Sequence, residues 1–329
     1  MLQKSVPWLT ILLIIGMAGA GFAASDDDVI LRASELMRTG RVVEAEGILS
    51  SASAASPDSL VLHGALGKVL FKEQKYEDAV RELGLVAQAS PDSREYNMLL
   101  AEALMGWQHF QVAIDFLQAI QPRFDQYPEF HYDLGFAFYS MNKVNEATAE
   151  FEQTLRLAPT LDRAEFLLAS CLAQQGETAK ALAMFRKLAK EHPSNEAYWV
   201  TLGEYLGGMG RQNSAEALNA CRRALRIRPG DAHAEYITAT VLLKNEKFAA
   251  ARPIFEKLEK LNPKVLEVHV DLARIYARLD EPELSRREAE VARKLQREQN
   301  DVLAEWQKRK AEFEHGNGQA AESDGLQQH

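Results

Sequence analysis

The sequence has few cysteines and no excess of positive charge, two features that mark common protein classes. Only two cysteines, Cys171 and Cys221, occur among 329 residues, and the formal net charge is −9. Acylation of a bacterial lipoprotein needs a cysteine directly after an N-terminal apolar stretch, and neither cysteine lies there. The basic footprint with which proteins bind nucleic acid is also missing. These absences exclude a lipoprotein and predict that nucleic acid is not a partner.

Catalytic motifs are missing as well. The run from Gly64 to Lys68 contains two glycines and a lysine, but their spacing is not that of a phosphate-binding loop. The run from Gly207 to Gly210 is no dinucleotide fingerprint, because no strand precedes it. We expect it to end a helix, and a ligand site at its backbone is the alternative. The eight histidines form no HExxH pair. The sequence therefore predicts no catalytic residue, no cofactor and no metal, and a protein that is not an enzyme.

What the sequence does contain is a period of about 34 residues. Prolines mark it at Pro57, Pro91, Pro159, Pro193, Pro229 and Pro263. We call these prolines, together with Asp125, which takes the place of one in the third unit, the repeat points. Twelve residues before each repeat point lies an alanine: Ala45, Ala79, Ala113, Ala147, Ala181, Ala217 and Ala251. Eight residues before it lies a larger side chain: Leu49, Leu83, Leu117, Phe151, Phe185, Cys221 and Phe255. Such a period indicates an array of identical units, in which small residues let helices approach and large ones fill the space beside them.

Each period has the spacing of two helices. Apolar residues recur three or four positions apart on one face of each helix, with a short polar turn between the two helices. The prolines end the second helix. The polar residues directly after three of them are expected to cap the next helix: Asp58, Asp92 and Ser194. Every unit is therefore predicted to be a helix–turn–helix.

These residues resemble the tetratricopeptide repeat (TPR) family. The best units are 128–161, with Leu134, Gly135, Phe138, Ala147, Phe151 and Pro159, and 232–265, with Ala239, Leu242, Ala251, Phe255 and Pro263. The resemblance implies an all-α fold, a right-handed α-solenoid of about eight units over residues 24–299. The units are 26–59, 60–93, 94–127, 128–161, 162–195, 196–231, 232–265 and 266–299.

Three features depart from the repeat. Asp125 takes the proline position between Pro122 and Pro128, which predicts a distorted junction. The sixth unit carries two extra residues after Gly210. Three histidines recur at one position of the repeat, which predicts partly exposed packing positions: His63, His131 and His269.

The N-terminal residues have the pattern of a secretory signal peptide. Lys4 is followed by an apolar run and then by small residues up to Ala24. We expect residues 1–23 to be removed and the protein to be exported, to the periplasm or cell envelope. The alternative is an uncleaved anchor in the inner membrane, because the 19 apolar residues of 6–24 are near the lower limit for spanning a bilayer.

The cysteines of an exported protein can form a disulfide. Cys221 lies where other units carry a buried Leu or Phe, and Cys171 lies in a first helix. We expect two separate buried thiols, with a disulfide as the alternative.

The C-terminal region is helical and highly charged from Leu284 to Phe313. Asn300 and Asp301 predict a helix break, with a separate capping helix over 300–315 that covers the last apolar face. The alternative is a helix that pairs with another chain. Residues 316–329 are expected to be disordered.

The resemblance also implies where a partner binds, because the first helix of each TPR unit lines a concave groove. Here that groove would present Phe71, Met98, Met105, Tyr132, Phe136, Tyr139, Phe166 and Tyr236. Tyr132, Phe136 and Tyr139 form one helical stripe beside the core stripe, and a helix that is apolar on two faces needs a second contact. That contact is a partner peptide or amphipathic helix, or else the neighbouring first helices.

The carboxylate clamp of some TPR proteins is not reproduced, because Met98, Glu102 and Asp133 stand where cations or amides are needed. The sequence therefore predicts a non-catalytic interaction scaffold of the bacterial cell envelope. The alternative is an assembly subunit of a secretion, pilus or outer-membrane complex that associates through its C-terminal helix.

Overall fold

The computed structural model describes residues 25–325, with side chains as far as residue 309. Within that range the regular structure is helical, and no strand occurs. The predicted signal peptide 1–23, the alternative anchor 6–24 and the last four residues lie outside it. Among the described residues, no helix combines the length and apolar character that a membrane span requires.

Residues 25–325 contain sixteen α-helices, arranged along the sequence as eight successive pairs, so the all-α prediction is confirmed. The pairs are α1 (Asp26–Arg38) and α2 (Val42–Ala55), α3 (Leu60–Lys72) and α4 (Tyr76–Ala89), α5 (Arg94–Gly106) and α6 (Phe110–Phe124), α7 (Pro128–Ser140) and α8 (Val144–Leu157), α9 (Asp162–Gln174) and α10 (Thr178–Glu191), α11 (Glu196–Gly208) and α12 (Ser214–Ile227), α13 (Ala232–Lys244) and α14 (Phe248–Leu261), and α15 (Leu266–Arg278) and α16 (Pro282–Gly325). Odd numbers denote the first helix of a pair and even numbers the second.

The chain divides into two compact units, Met1–Gly176 and Glu177–His329. We call their described parts the N-terminal body (25–176) and the C-terminal body (177–325). In the N-terminal body, each helix from α1 to α9 contacts the next one along the chain. The same holds from α10 to α16 in the C-terminal body. Each body is therefore a sequential stack, as the repeat predicts.

A residue with left-handed backbone conformation follows the end of every first helix. These residues have φ between 57° and 108° and recur with the period of the sequence: Gly40, Gln74, Gln108, Asn142, Gly176, Gly210, Glu246 and Asp280. After Gln74, the backbone N–H of Lys75 donates to the carbonyl of Leu70 at 2.9 Å, and equivalent bonds follow Gly40, Gln108 and Asn142. This Schellman arrangement satisfies the free carbonyls of the first helix and turns the chain into the second.

The N-caps of the first helices lie one residue later than predicted. In place of the residues named above, the N-cap positions are held by Ser59, Ser93 and Asn195. The side chains of Ser59 and Asn195 each accept a hydrogen bond from an N–H of the first turn. The prolines and their polar neighbours instead form a turn, which the N–H of Ser59 closes on the carbonyl of Ser56 at 3.0 Å.

The core is built by the recurring small and large residues. All seven alanines that lie twelve residues before the repeat points are buried. The seven larger side chains that lie eight residues before the repeat points are buried as well. Gly135 shows why small residues are needed, since a Cβ atom there would lie 2.9 Å from Cε1 of Phe151. The helix backbones are therefore held at a distance that admits one large side chain per layer.

The two irregular junctions are absorbed locally. Gly210 has φ 108° and is followed by a 3₁₀ helix, Arg211–Asn213, which takes up the extra residues of the sixth unit. At the other junction, α6 runs through Pro122 and ends at Phe124, with Asp125 as C-cap.

The last helix corrects the C-terminal prediction. No break occurs at Asn300 and Asp301, because α16 continues from Pro282 to Gly325 and includes part of the segment predicted to be disordered. The side chains of residues 296–309 are all exposed, so residues 300–309 of the segment predicted to cap the array do not cover it. The last apolar face is covered instead by the first part of α16, including Leu284 and Ala292.

Candidate functional site

The two cysteines offer no reactive site. Both are buried and free, in agreement with the favoured prediction. Burial raises the pKa of Cys171 to about 11 and also raises the pKa of Cys221. A thiol that is buried and protonated is a poor nucleophile and a poor metal ligand.

The first helices of the N-terminal body form a continuous face. α5 contacts α7, and α7 contacts α9, without a second helix between them. We call the exposed side of these helices the first-helix face. It carries the predicted stripe of Tyr132, Phe136 and Tyr139, each of which is half-buried.

A concavity of about 450 Å³ opens on this face, and we call it the Tyr132 pocket. It is lined by Glu102, Met105, Gly106, Gln108, Phe110, Tyr132, Asp133, Phe136 and Arg163. Three of the predicted groove residues are therefore brought together: Met105, Tyr132 and Phe136. The pocket combines apolar walls with a few charged groups, as binding sites in proteins do.

Asp133 is the least satisfied polar group of this pocket. It is 5% exposed, and its Oδ2 atom is buried without a hydrogen-bond partner. Burial raises the pKa of Asp133 well above its usual range, and the nearby negative charge of Glu102 raises it further, against the opposing effect of Arg163. Asp133 is therefore held towards its neutral form.

The other two charged groups lie on the neighbouring helices. The guanidinium carbon of Arg163, on α9, lies 4.3 Å from the ring centroid of Tyr132. Burial raises the pKa of Glu102, on α5, and the positive charge of Arg163 offsets only part of that rise. The Tyr132 ring also lies 6.0 Å from the core ring of Phe151. Tyr132 is therefore fixed between the core and an arginine, with its remaining surface towards the pocket.

The remaining predicted groove residues do not join this pocket. Met98 is only 6% exposed, which corrects the prediction that it presents its side chain to a partner, and Met105, although it lines the pocket, is itself only 8% exposed. Phe71 packs edge-on against Tyr76, with 5.8 Å between ring centroids. Tyr139 accepts a hydrogen bond from Gln174 at 3.3 Å, and Phe166 is half-buried.

Tyr236 lines a second concavity, of about 260 Å³, in the C-terminal body. Its lining includes Gly207, Gly208 and Lys244, and the ammonium of Lys244 donates to the carbonyl of Gly207 at 3.3 Å. The glycine run therefore ends a helix, as expected, and also borders a small open site.

The recurring histidines are not the partly exposed residues that we predicted. Each is buried, with its Nδ1 atom 2.6 Å from a glutamate of the paired second helix: His63 with Glu82, His131 with Glu150 and His269 with Glu288. Their Nε2 atoms lie 2.7–2.9 Å from the carbonyl six residues earlier. Asn97 and Trp199 hold the same position in other units and donate to the carbonyls of Pro91 and Pro193. These residues tie the first helix to the turn before it.

The last of these histidines belongs to the only group among the described residues whose ligand atoms are close enough for a metal. Atoms of Glu259, His269 and Glu288 lie within 4.8 Å of one another. Both imidazole nitrogens of His269 already face acceptors, however, so the arrangement is accounted for by an ion pair.

Comparison with known proteins agrees with this architecture. The family model of the tetratricopeptide repeat matches residues 36–103, 138–202 and 236–299, which together exceed half of the chain. The sequence of this chain matches no curated protein sequence. The chain is similar to a solved tetratricopeptide repeat protein from Parabacteroides merdae ATCC 43184, with a TM-score of 0.60 and 15% identity over 79% of this chain and 98% of that one.

A second solved structure, the APC/C hetero-tetramer Cut9–Hcn1, has a TM-score of 0.57 and 13% identity, with 84% of this chain and 54% of that one covered. At such identities these similarities show the fold alone. The family match and the helical repeat fold together are the basis of the function proposed below.

Proposed function

Because the chain is a member of the tetratricopeptide repeat family, we propose that it is a non-catalytic scaffold that binds a segment of a partner protein on its first-helix face. The observation that carries this proposal is the Tyr132 pocket. Tyr132 and Phe136 leave part of their rings uncovered beside it, and Met105 lines it as a buried apolar wall. Rigid aromatic side chains around a depression are the usual anchors of protein interfaces.

The geometry favours a peptide or an amphipathic helix as the bound segment. The face is formed by side chains of successive helices and is open to the solvent on one side, so a segment can lie across it. Its half-buried aromatic residues lose little side-chain entropy on binding, because Tyr132 is already held by Arg163 and Phe151.

A photo-crosslinker at position 136 tests this proposal in the native cell. A crosslinking amino acid in place of Phe136 should give a discrete adduct on irradiation, which mass spectrometry then identifies. The matched control is the same amino acid at Val112, which is exposed on the second helix α6 of the same body. Equal adducts at both positions, or none at either, would contradict binding at this face.

The double variant Tyr132→Ala with Phe136→Ala separates binding from folding. It should lose the adduct partner in pull-down while its helical circular dichroism and thermal midpoint stay close to those of the unmodified protein. A loss of fold would instead show that these two rings serve the core.

We further propose that this binding takes place after export, in the cell envelope. The support is the N-terminal pattern of a lysine, an apolar run and small residues. Cell fractionation and the mass of the mature N-terminus test it. A cleaved chain in the periplasm supports export, an intact chain in the inner membrane supports the anchor, and an intact chain in the cytoplasm contradicts both.

Assembly through α16 is the second candidate function. Its support is the exposure of Val302, Leu303 and Trp306 on a helix whose side chains leave the core after Leu295. An apolar stripe on such a helix can pair with a helix of another chain. Deleting residues 300–329 should then reduce the particle size in size-exclusion chromatography with light scattering. An unchanged size would remove this candidate.

A further inference from the structure

We propose that the Tyr132 pocket receives a lysine or arginine side chain of the partner segment, with Asp133 and Glu102 as its counter-charges. This inference rests on the proposed function, since it names the chemistry by which the first-helix face recognises its partner. It goes beyond that function because it assigns a polar specificity to a face so far argued from its aromatic residues.

The first support is the unpaired oxygen of Asp133. Glu196, Glu235 and Glu281 are half-buried, and each also has one oxygen without a hydrogen-bond partner, but the other oxygen pairs with a cation, Arg228, Lys257 or Arg252. Asp133 is more deeply buried, its Oδ2 atom has no hydrogen-bond partner, and it lies at a concavity large enough for one long side chain. An ammonium or guanidinium group that enters the pocket would provide the missing donor.

The second support is that the fold does not need a carboxyl at this position. The corresponding residues of the two neighbouring units, Leu99 and Leu167, are apolar, as are those of three further units, whereas the sixth unit has Thr201 and the last has Asp271. A buried carboxyl destabilises the fold relative to such residues. A local departure of this kind, in a binding depression, indicates a functional group.

The charges that face Asp133 from the adjoining helices favour a cation over an anion. Glu102 faces it from α5 and Arg163 from α9, while Glu129 lies on α7 itself. The carboxylate of Glu129 is occupied by Arg94 at 3.1 Å, and Arg163 lies over the Tyr132 ring. Against the single positive charge of Arg163, the pocket has two carboxyls, Asp133 and Glu102, so that one negative charge is left for an incoming cation once Asp133 is ionised. The alkyl part of the entering side chain would contact Phe136 and Met105.

This arrangement couples binding to a proton. Asp133 is held towards its neutral form by burial and by Glu102, so an entering cation favours its ionised form and displaces the proton to solvent. Binding should accordingly be weaker at low pH and stronger at high pH, since the bound state carries fewer protons than the separate molecules.

Arrays of capped peptides of about twelve residues test the inference. Four sets carry random flanks around a fixed central lysine, arginine, glutamate or norleucine, the last being a neutral substitute for lysine. The purified protein should be retained on the lysine and arginine sets about tenfold more than on the other two. Asp133→Asn should reduce that preference to less than about twofold while leaving retention on the norleucine set.

Asp271→Asn is the matched control, because Asp271 holds the same repeat position in the last unit, outside the pocket. It should keep the full preference. If Asp133→Asn fails to fold, as judged by circular dichroism, Glu102→Gln serves as the second variant and should also weaken the preference. For the best lysine peptide, raising the pH from about 6 to about 8 should tighten binding, and this dependence should vanish in Asp133→Asn.

The outcomes separate the two proposals. Equal retention on the lysine and norleucine sets overturns this inference and leaves peptide binding intact. Retention of the lysine preference in Asp133→Asn also overturns it. Retention of no set at all contradicts both the inference and the proposed function.

Discussion

Nδ1 of His269, on α15, lies 2.6 Å from Oε2 of Glu288, on α16. The histidine Nε2 lies 2.9 Å from the carbonyl of Pro263, so only a doubly protonated imidazole can donate at both ends. Both side chains are buried. The same pair occurs at His63 and His131, so one polar link is repeated in three units of an otherwise apolar frame.

These pairs should make stability fall as the pH rises. Burial opposes protonation of His269, but the bonds to Glu288 and to Pro263 outweigh it and raise its pKa above 6.5. The stabilisation is therefore complete below the unfolded pKa of about 6.5 and is lost as the pH rises through the higher folded value. Thermal midpoints measured between about pH 6 and pH 9 should decline over that interval.

The variant His269→Gln assigns this effect to the pair. It leaves Glu288 buried without its cation, which should cost about 3 kcal/mol at pH 6 and less at higher pH. The variant should accordingly show a flatter pH profile than the unmodified protein. Parallel profiles would show that other groups cause the pH dependence.

Glycine at the left-handed turn positions should stabilise the protein. Gln74 has φ 61°, a conformation that costs a side-chain-bearing residue about 1 kcal/mol and glycine little. Gln74→Gly should therefore raise the thermal midpoint. Gly40→Ala is the reverse test: its Cβ would meet no atom within 4 Å, so any loss comes from its φ of 78° alone. The result is contradicted if both variants shift the midpoint in the same direction.

Close approach of α11 and α12 should make Gly203 intolerant of a side chain. An added Cβ would lie 2.6 Å from Sγ of Cys221 and 3.3 Å from the carbonyl oxygen of Ala217. Gly203→Ala should destabilise the C-terminal body by about 1–3 kcal/mol, measured by chemical denaturation. Adding Cys221→Ala should restore part of that loss.

Gly47→Ala is the matched control for this substitution, because Gly47 is also helical but an added Cβ there meets nothing within 4 Å. It should stabilise the protein by up to about 1 kcal/mol, since alanine favours helix over glycine. A similar loss in both variants would mean that the packing of Gly203 is not the cause.

The distal part of α16 should be dispensable for stability. Side chains 296–309 are exposed, so removing residues 300–329 should change the thermal midpoint little, by the equivalent of less than about 0.5 kcal/mol. Removal of all residues from Leu284 onwards should destabilise the protein severely, because it also deletes Glu288 and the Leu284 side chain that packs against the core around Leu272. A large loss in the shorter deletion would restore the capping role that the structure does not support.

The helical architecture and much of the core could be predicted from the sequence because they rest on local and periodic information. Ala45 to Ala251 and the large residues after them recur in register, and each helix obeys the same spacing. The left-handed turn residues could not be recognised as easily, because five of them are not glycine. The predicted helix break at Asn300 and Asp301 was wrong, because these residues are favourable caps but nothing around them forces a turn.

The sequence by itself determined the repeat, the helix pairs and the positions of small and large residues, since these depend on neighbours along the chain. Only the tertiary structure decided what each polar residue meets. The partner of His269 lies 19 residues away on another helix, and the surroundings of Asp133 come from α5 and α9. Whether a buried polar group is paired, and so structural, or unpaired, and so available to a partner, depends on packing between helices, which a period in sequence does not specify.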